Sequence, residues 1–290
     1  MAGRTQAGRR GRFAAYGLLS PGVIWLVLFF LVPVAFLFRT SLSAKESRFD
    51  LDPEFSWQWA NYSDALSDFA DQFIRGFGYA AAATVLALLI GYPLAYVIAI
   101  RGGRYKNLLL GMVVVPLFAT FLVRTFAWKT IVADEGPLVS LLRDIGILSA
   151  SGRLDNTAIA VIGGLTYNFL PFMVLPIYVA LERMDLSLID AAKDLYSSAS
   201  RAFFKIVLPL SLPGVFAGSL LTFIPASGDY VNAELLGNPN TTMTGNVVYN
   251  QFIGQNNYPT AAAISIMLMI VITIAVLVYS KVLGTEDLVG

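Results

Sequence analysis

The sequence predicts an all-α integral membrane protein with six transmembrane helices. Of its 290 residues, 57% are hydrophobic and only 13% are charged, and the mean hydropathy is +0.68. The apolar share exceeds the roughly 45–50% of a soluble domain. None of the apolar runs alternates with period two, as a strand of a membrane barrel does. Helices that satisfy their own backbone groups are therefore the structure that lipid allows.

Five uncharged windows have the roughly 20 apolar residues that a helix needs to cross a membrane. They cover residues 16–38, 77–100, 158–181, 208–228 and 261–280. A sixth window, residues 108–131, is apolar in its first part and then contains Arg124 and Lys129. A bare charge at mid-membrane costs at least ~2.5 kcal/mol. We therefore expect these two cations to pair with Asp134 or Glu135, or to point to the outer headgroups.

The first apolar run follows basic residues, as in a signal peptide, but it is longer than an h-region of ~7 to 15 residues and more spans follow it. We interpret it as a retained anchor. The predicted organisation is a basic N-terminus (1–15), a first span (16–38), an outer loop (39–76), a five-helix core (77–282) that includes a polar loop (182–208), and a tail (283–290).

Lys and Arg cluster on one side of the predicted spans, which sets the orientation of the chain. With the N-terminus in the cytoplasm, the N-terminal arginines, the loop RGGRYKN at 101–107, the polar loop at 182–208 and Lys281 all lie inside. The loops on the other face are rich in acids, Trp, Asn and Gly, and we expect them outside. Trp57 and Trp59 fit either an interfacial helix on the outer surface or a packed loop core.

The chain contains no Cys and no His, which removes thiol nucleophiles, disulfides and the commonest metal ligand and general base. We expect no catalytic residue and no metal site, so an intramembrane enzyme is disfavoured. A stand-alone secondary transporter is also disfavoured, because it needs ionisable residues in several spans. Nucleic-acid binding is not expected, since the basic residues lie in short clusters beside apolar runs.

The polar loop at 182–208 is the longest predicted cytoplasmic loop. Small and apolar side chains recur there at helical spacing beside Asp190. They are Leu188, Ala191, Ala192 and Leu195. Ser197 and Ser198 are candidate caps for a second short helix. The apolar residues that this helix would present are Phe203, Phe204, Ile206 and Val207. Periodicity leaves two alternatives open, a docking element and a connector that rests on the headgroups.

The same loop resembles the "EAA" loop of bacterial ATP-binding-cassette importer permeases, whose pattern is Glu-Ala-Ala, three residues, Gly, nine residues, then Ile-x-Leu-Pro. The matching residues are Asp190, Ala191 and Ala192 at its head and Ile206, Leu208 and Pro209 at its tail, with the same spacing. Asp190 replaces the usual Glu, and Tyr196 occupies the Gly position. If that position needs a positive φ, we expect the turn to move onto Ser197 and Ser198, or the helix to continue.

The resemblance covers about residues 77–281 and implies the fold and partners of that family. The residues implied to dock on a cytoplasmic ATPase dimer are Asp190, Ala191, Ala192, Leu195, Tyr196, Ile206, Leu208 and Pro209. ATP and Mg would be bound by that ATPase, and no cofactor by this chain, which has no G-x-x-x-x-G-K-[ST] loop. The resemblance further implies a multi-pass protein of the bacterial inner membrane, surrounded by lipid, paired with a second and related permease subunit, and served by an extracytoplasmic substrate-binding protein. Its role would be alternating access.

The segment GVFAG at 214–218, on the fifth span, has a small-xxx-small pattern. Such a face packs closely against another helix. The pattern leaves open whether that helix belongs to the paired subunit or to the same chain.

A second stretch, IPASGDYVNAELLGNP at 224–239, follows the fifth span. It resembles the Gly-Asp-(Phe/Tyr)-Val-x-x-Glu-Leu-Leu-Gly signature of spermidine/putrescine importer permeases at every specified position. The resemblance implies a polyamine substrate, with iron, thiamine, phosphonate or sulfate as the alternative. Carboxylates and aromatic faces suit a polycationic amine. The candidate pathway residues are Asp229, Tyr230, Glu234, Tyr167 and Asn168, and each of them also fits ordinary packing.

Overall fold

The computed structural model describes residues 18–45, 53–149, 151–194 and 196–282. Most of these residues are helical. The helices are α1 (Leu18–Ser41), α2 (Ala60–Arg101), α3 (Gly103–Phe118), α4 (Phe121–Val132), α5 (Pro137–Asp144), α6 (Ala158–Glu182), α7 (Ser187–Asp194), α8 (Ala199–Ser227), α9 (Val231–Leu236), α10 (Thr244–Tyr249) and α11 (Tyr258–Val282). Two short antiparallel strands, β1 (Ser43–Ala44) and β2 (Glu54–Phe55), pair with each other. The predicted N-terminal segment 1–15, the tail 283–290 and Leu195 lie outside the described residues.

Five helices in the described residues, α1, α2, α6, α8 and α11, are long and apolar enough to cross a membrane. The sixth predicted span, 108–131, is broken, because α3 and the segment of α4 and α5 meet at a bend of 105°. Ala119 is extended at the bend, and the Thr120 hydroxyl caps α4 by accepting a hydrogen bond from the Val123 amide. The all-α membrane fold is confirmed, with six spans if the bent pair counts as one.

Helix α2 begins at Ala60, inside the segment 39–76 that was predicted to be an outer loop. Its first turns carry charged residues, and so they do not fit the uncharged windows from which the spans were predicted. They nevertheless bury Ala65 and Phe73, two residues at helical spacing. A helix of 42 residues is ~63 Å long. It therefore extends well beyond a hydrocarbon core of ~30 Å.

The chain forms two compact units, one of residues up to 68 together with 251–267, and the other of 69–250 together with the residues from 268 onward. In the first unit, the Asn61 side-chain amide donates to the carbonyls of Ser41 and Ser43, both at 2.9 Å. Trp57 and Trp59 are 62% and 58% exposed. They lie in the turn between β2 and α2, so neither the packed loop core nor the interfacial helix predicted for them is correct.

In the second unit, α8 packs along α6 through small residues. A Cβ atom on Gly214 would lie 2.6 Å from the Pro176 carbonyl oxygen, and one on Gly218 would lie 2.8 Å from the Met173 carbonyl oxygen. Both glycines are buried, so the two backbones approach as closely as only glycine allows. The small-xxx-small segment therefore packs within its own chain.

Helix α2 adds a smooth face to this unit. From Gly76 onward, its buried residues recur every three or four positions, and all but the last have at most a methyl side chain. They are Gly76, Ala80, Ala83, Ala87, Gly91, Ala95 and Ile98. Tyr92 of the same helix reaches the Ser211 hydroxyl of α8 by a hydrogen bond of 2.8 Å. Helices α2, α6 and α8 thus pack together, and they carry the two candidate sites, the loop at 182–208 and the turn that follows α8.

Candidate functional site

The loop at 182–208 starts with a capped helix. The Asp185 carboxylate accepts a hydrogen bond from the Ser187 amide (2.9 Å) at the start of α7, and that bond lowers the pKa of Asp185. Further along α7, Asp190 and Ala191 are exposed, whereas Ala192 is buried. The head of the predicted docking motif therefore presents a carboxylate and a small side chain on an accessible helix surface.

The bend after α7 lies at Tyr196. Its φ is 58°, in the left-handed region, and its side chain is 97% exposed. The Ser197 amide donates to the Ala192 carbonyl (2.9 Å), the bond that commonly closes a helix whose next residue is left-handed. Ser198 caps α8 by accepting from the Arg201 amide (3.3 Å). The cap prediction is confirmed for Ser198, but the expectation that the turn moves onto Ser197 and Ser198, or that the helix continues, is wrong.

Replacing Tyr196 with glycine is expected to stabilise this bend by about 1 kcal/mol, because a left-handed conformation costs a bulky residue about 1–2 kcal/mol and costs glycine little. The measurement is amide hydrogen exchange over residues 187–202 of the purified protein, which should slow. Ser197 is not at positive φ, so Ser197→Gly is a control that should speed the exchange. Equal or faster exchange in the Tyr196 variant would contradict the assignment of strain.

The four apolar residues in the second half of the loop are only partly presented, because Val207 is buried and Phe203 and Ile206 are half-buried. The Phe203 ring packs edge-on against Tyr92 and Tyr96 of α2, with centroids 5.8 Å apart in each case. Val207 is 2% exposed, and of the four predicted apolar residues only Phe204 is largely exposed. In the tail of the motif, Ile206 and Leu208 are half-buried and Pro209 is exposed. The loop is thereby anchored to α2 by an aromatic side chain.

At the other end of α8, Asp229 is buried in the turn before α9. One of its oxygens accepts from the Asn232 amide (2.7 Å) and from the Asn232 side chain (3.2 Å). Burial raises the pKa of Asp229 to about 6, against the effect of these two hydrogen bonds. The carboxylate faces its own turn and is only 8% exposed.

A chain of buried hydrogen bonds continues from that turn into the helix core. The Asn168 side chain donates to the Asn232 side-chain oxygen (3.1 Å) and to the Thr125 hydroxyl (3.0 Å). Arg124, which is 7% exposed, donates to the Asn168 carbonyl oxygen (2.9 Å). Helices α4, α6 and α9 are joined by this network. Sequence reasoning missed Thr125 and Asn232, since isolated amides and hydroxyls have no pattern.

The pairing predicted for Arg124 is wrong. Asp134 instead binds Arg153, at 2.7 Å from its Nε atom, and within the described residues neither Arg124 nor Lys129 forms an ion pair. The Arg124 guanidinium is only partly compensated: it donates to the Asn168 carbonyl and lies 5.6 Å from the centroid of the Phe121 ring, but its buried Nε has no hydrogen-bond partner in the described part of the chain.

The remaining pathway candidates fall into two environments. Tyr167 stacks on Trp128 with a centroid distance of 5.6 Å, and Trp128 donates to the Ala160 carbonyl (3.1 Å). Tyr230 stacks on Tyr249 of α10 at 5.0 Å with the planes 9° apart. The structure thus brings Asp229, Tyr230 and Glu234 together around α9, and it places Tyr167 in an aromatic pair of its own.

Asn246 of α10 links this group. Its side-chain amide donates both to the Tyr230 carbonyl (3.0 Å) and to the exposed Glu234 carboxylate (3.1 Å). Neither Tyr249 nor Asn246 was predicted, because they lie beyond the signature in sequence. Stacking and hydrogen bonding are the only signals that identify them.

Replacing Asp229 with asparagine tests the raised pKa. The folded pKa of Asp229, about 6, exceeds the unfolded value of ~3.9. The contribution of Asp229 to the free energy of unfolding is therefore fully present below pH ~4 and is lost as the pH rises through 6. Asparagine cannot ionise, so the variant should be more stable at pH 8, by up to about 3 kcal/mol.

The measurement is the apparent Tm of the purified protein from pH 8 to pH 5, with the advantage of Asp229→Asn shrinking as the pH falls. The exposed Asp144→Asn change is the control. It should leave the Tm close to that of wild type at every pH from 8 to 5. A difference between wild type and Asp229→Asn that does not depend on pH would contradict the assignment.

Comparison with known proteins gives one consistent result. Residues 87–282 match the family model described as the binding-protein-dependent transport system inner membrane component. The chain is 37% identical over 258 residues to the spermidine/putrescine transport system permease protein PotB of Haemophilus influenzae, covering 89% of this chain and 90% of that protein. It is 34% identical over 256 residues to PotB of Escherichia coli K12, covering 88% and 92%.

The fold comparison agrees. A chain of a bacterial ABC transporter involved in the import of the acidic polysaccharide alginate matches with a TM-score of 0.68, covering 97% of this chain and 98% of that one at 17% identity. At that identity the match is evidence about the fold alone.

Proposed function

Because this chain belongs to the family of binding-protein-dependent transport system inner membrane components, we propose that it is the permease subunit of an ATP-driven importer that carries polyamines across the bacterial inner membrane. The observation that carries the substrate class is its 37% identity, over 89% of its length, to a spermidine/putrescine permease. The signature GDYVNAELLG at 228–237 supports the same class.

The energy for transport would come from ATP and Mg bound to a separate cytoplasmic ATPase dimer, contacted through the loop at 182–208. The accessible carboxylate of Asp190 and the small Ala191 suit a groove on that partner. Phe203, packed against Tyr92 and Tyr96, would carry a displacement of the loop to α2. The proposed docking set remains Asp190, Ala191, Ala192, Leu195, Tyr196, Ile206, Leu208 and Pro209.

The other partners follow from the family. A second, related permease subunit would complete the pathway, and an extracytoplasmic binding protein would deliver the substrate to the loops around α9 and α10. The N-terminus would lie in the cytoplasm, as the distribution of Lys and Arg favours. The subunit itself performs no covalent chemistry, and its task is to alternate between two packings of its helices.

The candidate pathway residues would have two roles, contact with the substrate and support of the residues that contact it. Tyr230 and Glu234 are accessible and would face the substrate. Asp229 and Asn168 are buried in the hydrogen-bond network and would hold the turn that carries those two residues. Tyr167, stacked on Trp128, would support the pathway wall from within the protein.

The deciding experiment is uptake of labelled spermidine and putrescine by cells with and without the gene, and with the gene restored. Iron, thiamine, phosphonate and sulfate serve as comparison solutes. Loss of polyamine uptake alone, rescued by the gene, is the expected result. Unchanged polyamine uptake with loss of another solute would overturn the substrate class and leave the ATP-driven permease standing.

A further inference from the structure

We propose that Tyr230, Tyr249 and Glu234 form a binding site for one alkylammonium group, here called the tyrosine site. This inference rests on the proposed polyamine transport and names the side chains that would recognise the substrate on this subunit. Tyr230 precedes α9, Glu234 lies within it, and Tyr249 ends α10. The signature includes only Tyr230 and Glu234, whereas the tyrosine site also includes Tyr249 from a second helix.

The two rings leave an accessible aromatic surface. They are nearly parallel, 9° apart with centroids at 5.0 Å, so each covers one face of the other. Tyr230 and Tyr249 are nevertheless 41% and 46% exposed. The negative face of an aromatic ring attracts a cation that sits within ~6 Å of its centroid. An ammonium group is the ligand that such an exposed and immobilised face favours.

Glu234 places an exposed carboxylate on the helical turn that follows Tyr230, where the Asn246 side chain contacts it. Glu234 follows Tyr230 by four residues, on the same face of one helical turn, and its amide donates to the Tyr230 carbonyl (2.9 Å). Asn246 holds one carboxylate oxygen. Within the described residues Glu234 forms no ion pair, and Arg75, which contacts the Thr242 carbonyl beside α10 (3.1 Å), is not its partner. The exposed carboxylate is therefore open to a cationic ligand.

The support under the site is rigid. A Cβ atom on Gly245 would lie 2.5 Å from the Gly228 carbonyl oxygen, so glycine lets α10 pack directly on the turn before α9. The Met243 amide donates to the Asn246 side-chain oxygen (3.0 Å), which fixes the amide that in turn holds Glu234. Because the rings and the carboxylate are held before binding, little ordering cost opposes the ligand.

The chemistry selects a class of ligand. A free ring face and a carboxylate attract a primary or secondary ammonium and repel a sulfate or a phosphonate. Asp229 is not part of the site, because its carboxylate is buried and bound to Asn232. The tyrosine site thus accounts for one charged end of a polyamine.

Uptake kinetics of labelled spermidine in cells that express the complete transporter test the inference. Tyr249→Leu removes the ring and is expected to raise KM about 3- to 30-fold with little change in the maximal rate, whereas Tyr249→Phe keeps the ring and should stay near wild type. Glu234→Gln, which keeps the shape, should raise KM by a similar factor. The exposed Tyr105→Leu change, at the start of α3, is the matched control and should leave KM unchanged.

The outcomes separate this inference from the proposed function. Wild-type cells that import no polyamine would remove the proposed function itself. Wild-type uptake with an unchanged KM in both Tyr249→Leu and Glu234→Gln would overturn the tyrosine site alone, as would equal damage from Tyr249→Phe and Tyr249→Leu. Assembly of each variant is checked by the yield of the purified complex. If Tyr249→Leu fails to assemble, the KM of the surface variant Glu234→Gln tests the tyrosine site.

Discussion

Replacing Asp190 with lysine is expected to separate the permease from the proposed ATPase partner and to abolish uptake, while the membrane fold stays intact. Asp190 is exposed on α7, so the longer lysine side chain can extend into solvent. At an interface, exchange of an acid for a base replaces an attraction by a repulsion and costs several kcal/mol. A loss of ~4 kcal/mol lowers the affinity about a thousandfold.

The measurement is the amount of ATPase that co-purifies with the tagged permease, together with polyamine uptake in the same cells. Asp190→Glu, which restores the usual residue of the motif, should retain both. Asp144→Lys makes the same charge change at the exposed end of α5 and should also retain both. Unchanged assembly and uptake in Asp190→Lys would count against the docking role of the loop.

Replacing Gly218 with valine is expected to prevent folding of the second unit, or to destabilise it by about 3 kcal/mol or more. The new Cβ would lie 2.8 Å from the Met173 carbonyl oxygen and 3.2 Å from its Cα. These are backbone atoms that cannot rotate away, so α8 and α6 must separate and lose their packing. Overpacking that flexible side chains can absorb costs only about 1–3 kcal/mol.

The yield of monodisperse protein in detergent and its apparent Tm measure this effect. Gly78→Val is the matched control, because a Cβ atom on Gly78 meets nothing within 4 Å. It should purify like wild type. A Gly218→Val protein with wild-type yield and Tm would contradict the close approach of α6 and α8.

The spans were predictable from the sequence because the membrane imposes a minimum length of apolar residues. The predicted window 158–181 falls within α6, and 261–280 falls within α11. The break between α3 and α4 was not predictable, since Pro116 and Thr120 stand in an apolar run whose composition is that of a straight span. The start of α2 at Ala60 was not predictable for the opposite reason. Its first turns are charged and lie outside the lipid, and a criterion based on apolar length does not detect such turns.

The candidate sites were predictable to the extent that neighbours in sequence remain neighbours in space. The motif placed Asp190 and Ala191 on an exposed helix, and the signature placed Asp229, Tyr230 and Glu234 around one turn. Which of them is accessible depends on tertiary contacts, and so Asp229 is buried while Tyr230 is not. Tyr249 came from another helix, and only the ring stacking reveals it.

The smooth face of α2 has a mechanical consequence. Helices that interlock through long side chains must change rotamers before they can slide, and each change adds a barrier. Six of the seven buried residues on this face, from Gly76 to Ala95, have hydrogen or methyl side chains. Small sliding shifts between packed helices are a recognised mode of conformational change. We therefore expect α6 to shift along this face of α2 with few rotamer changes, whereas α8 stays tied to α2 through Ser211 and Phe203.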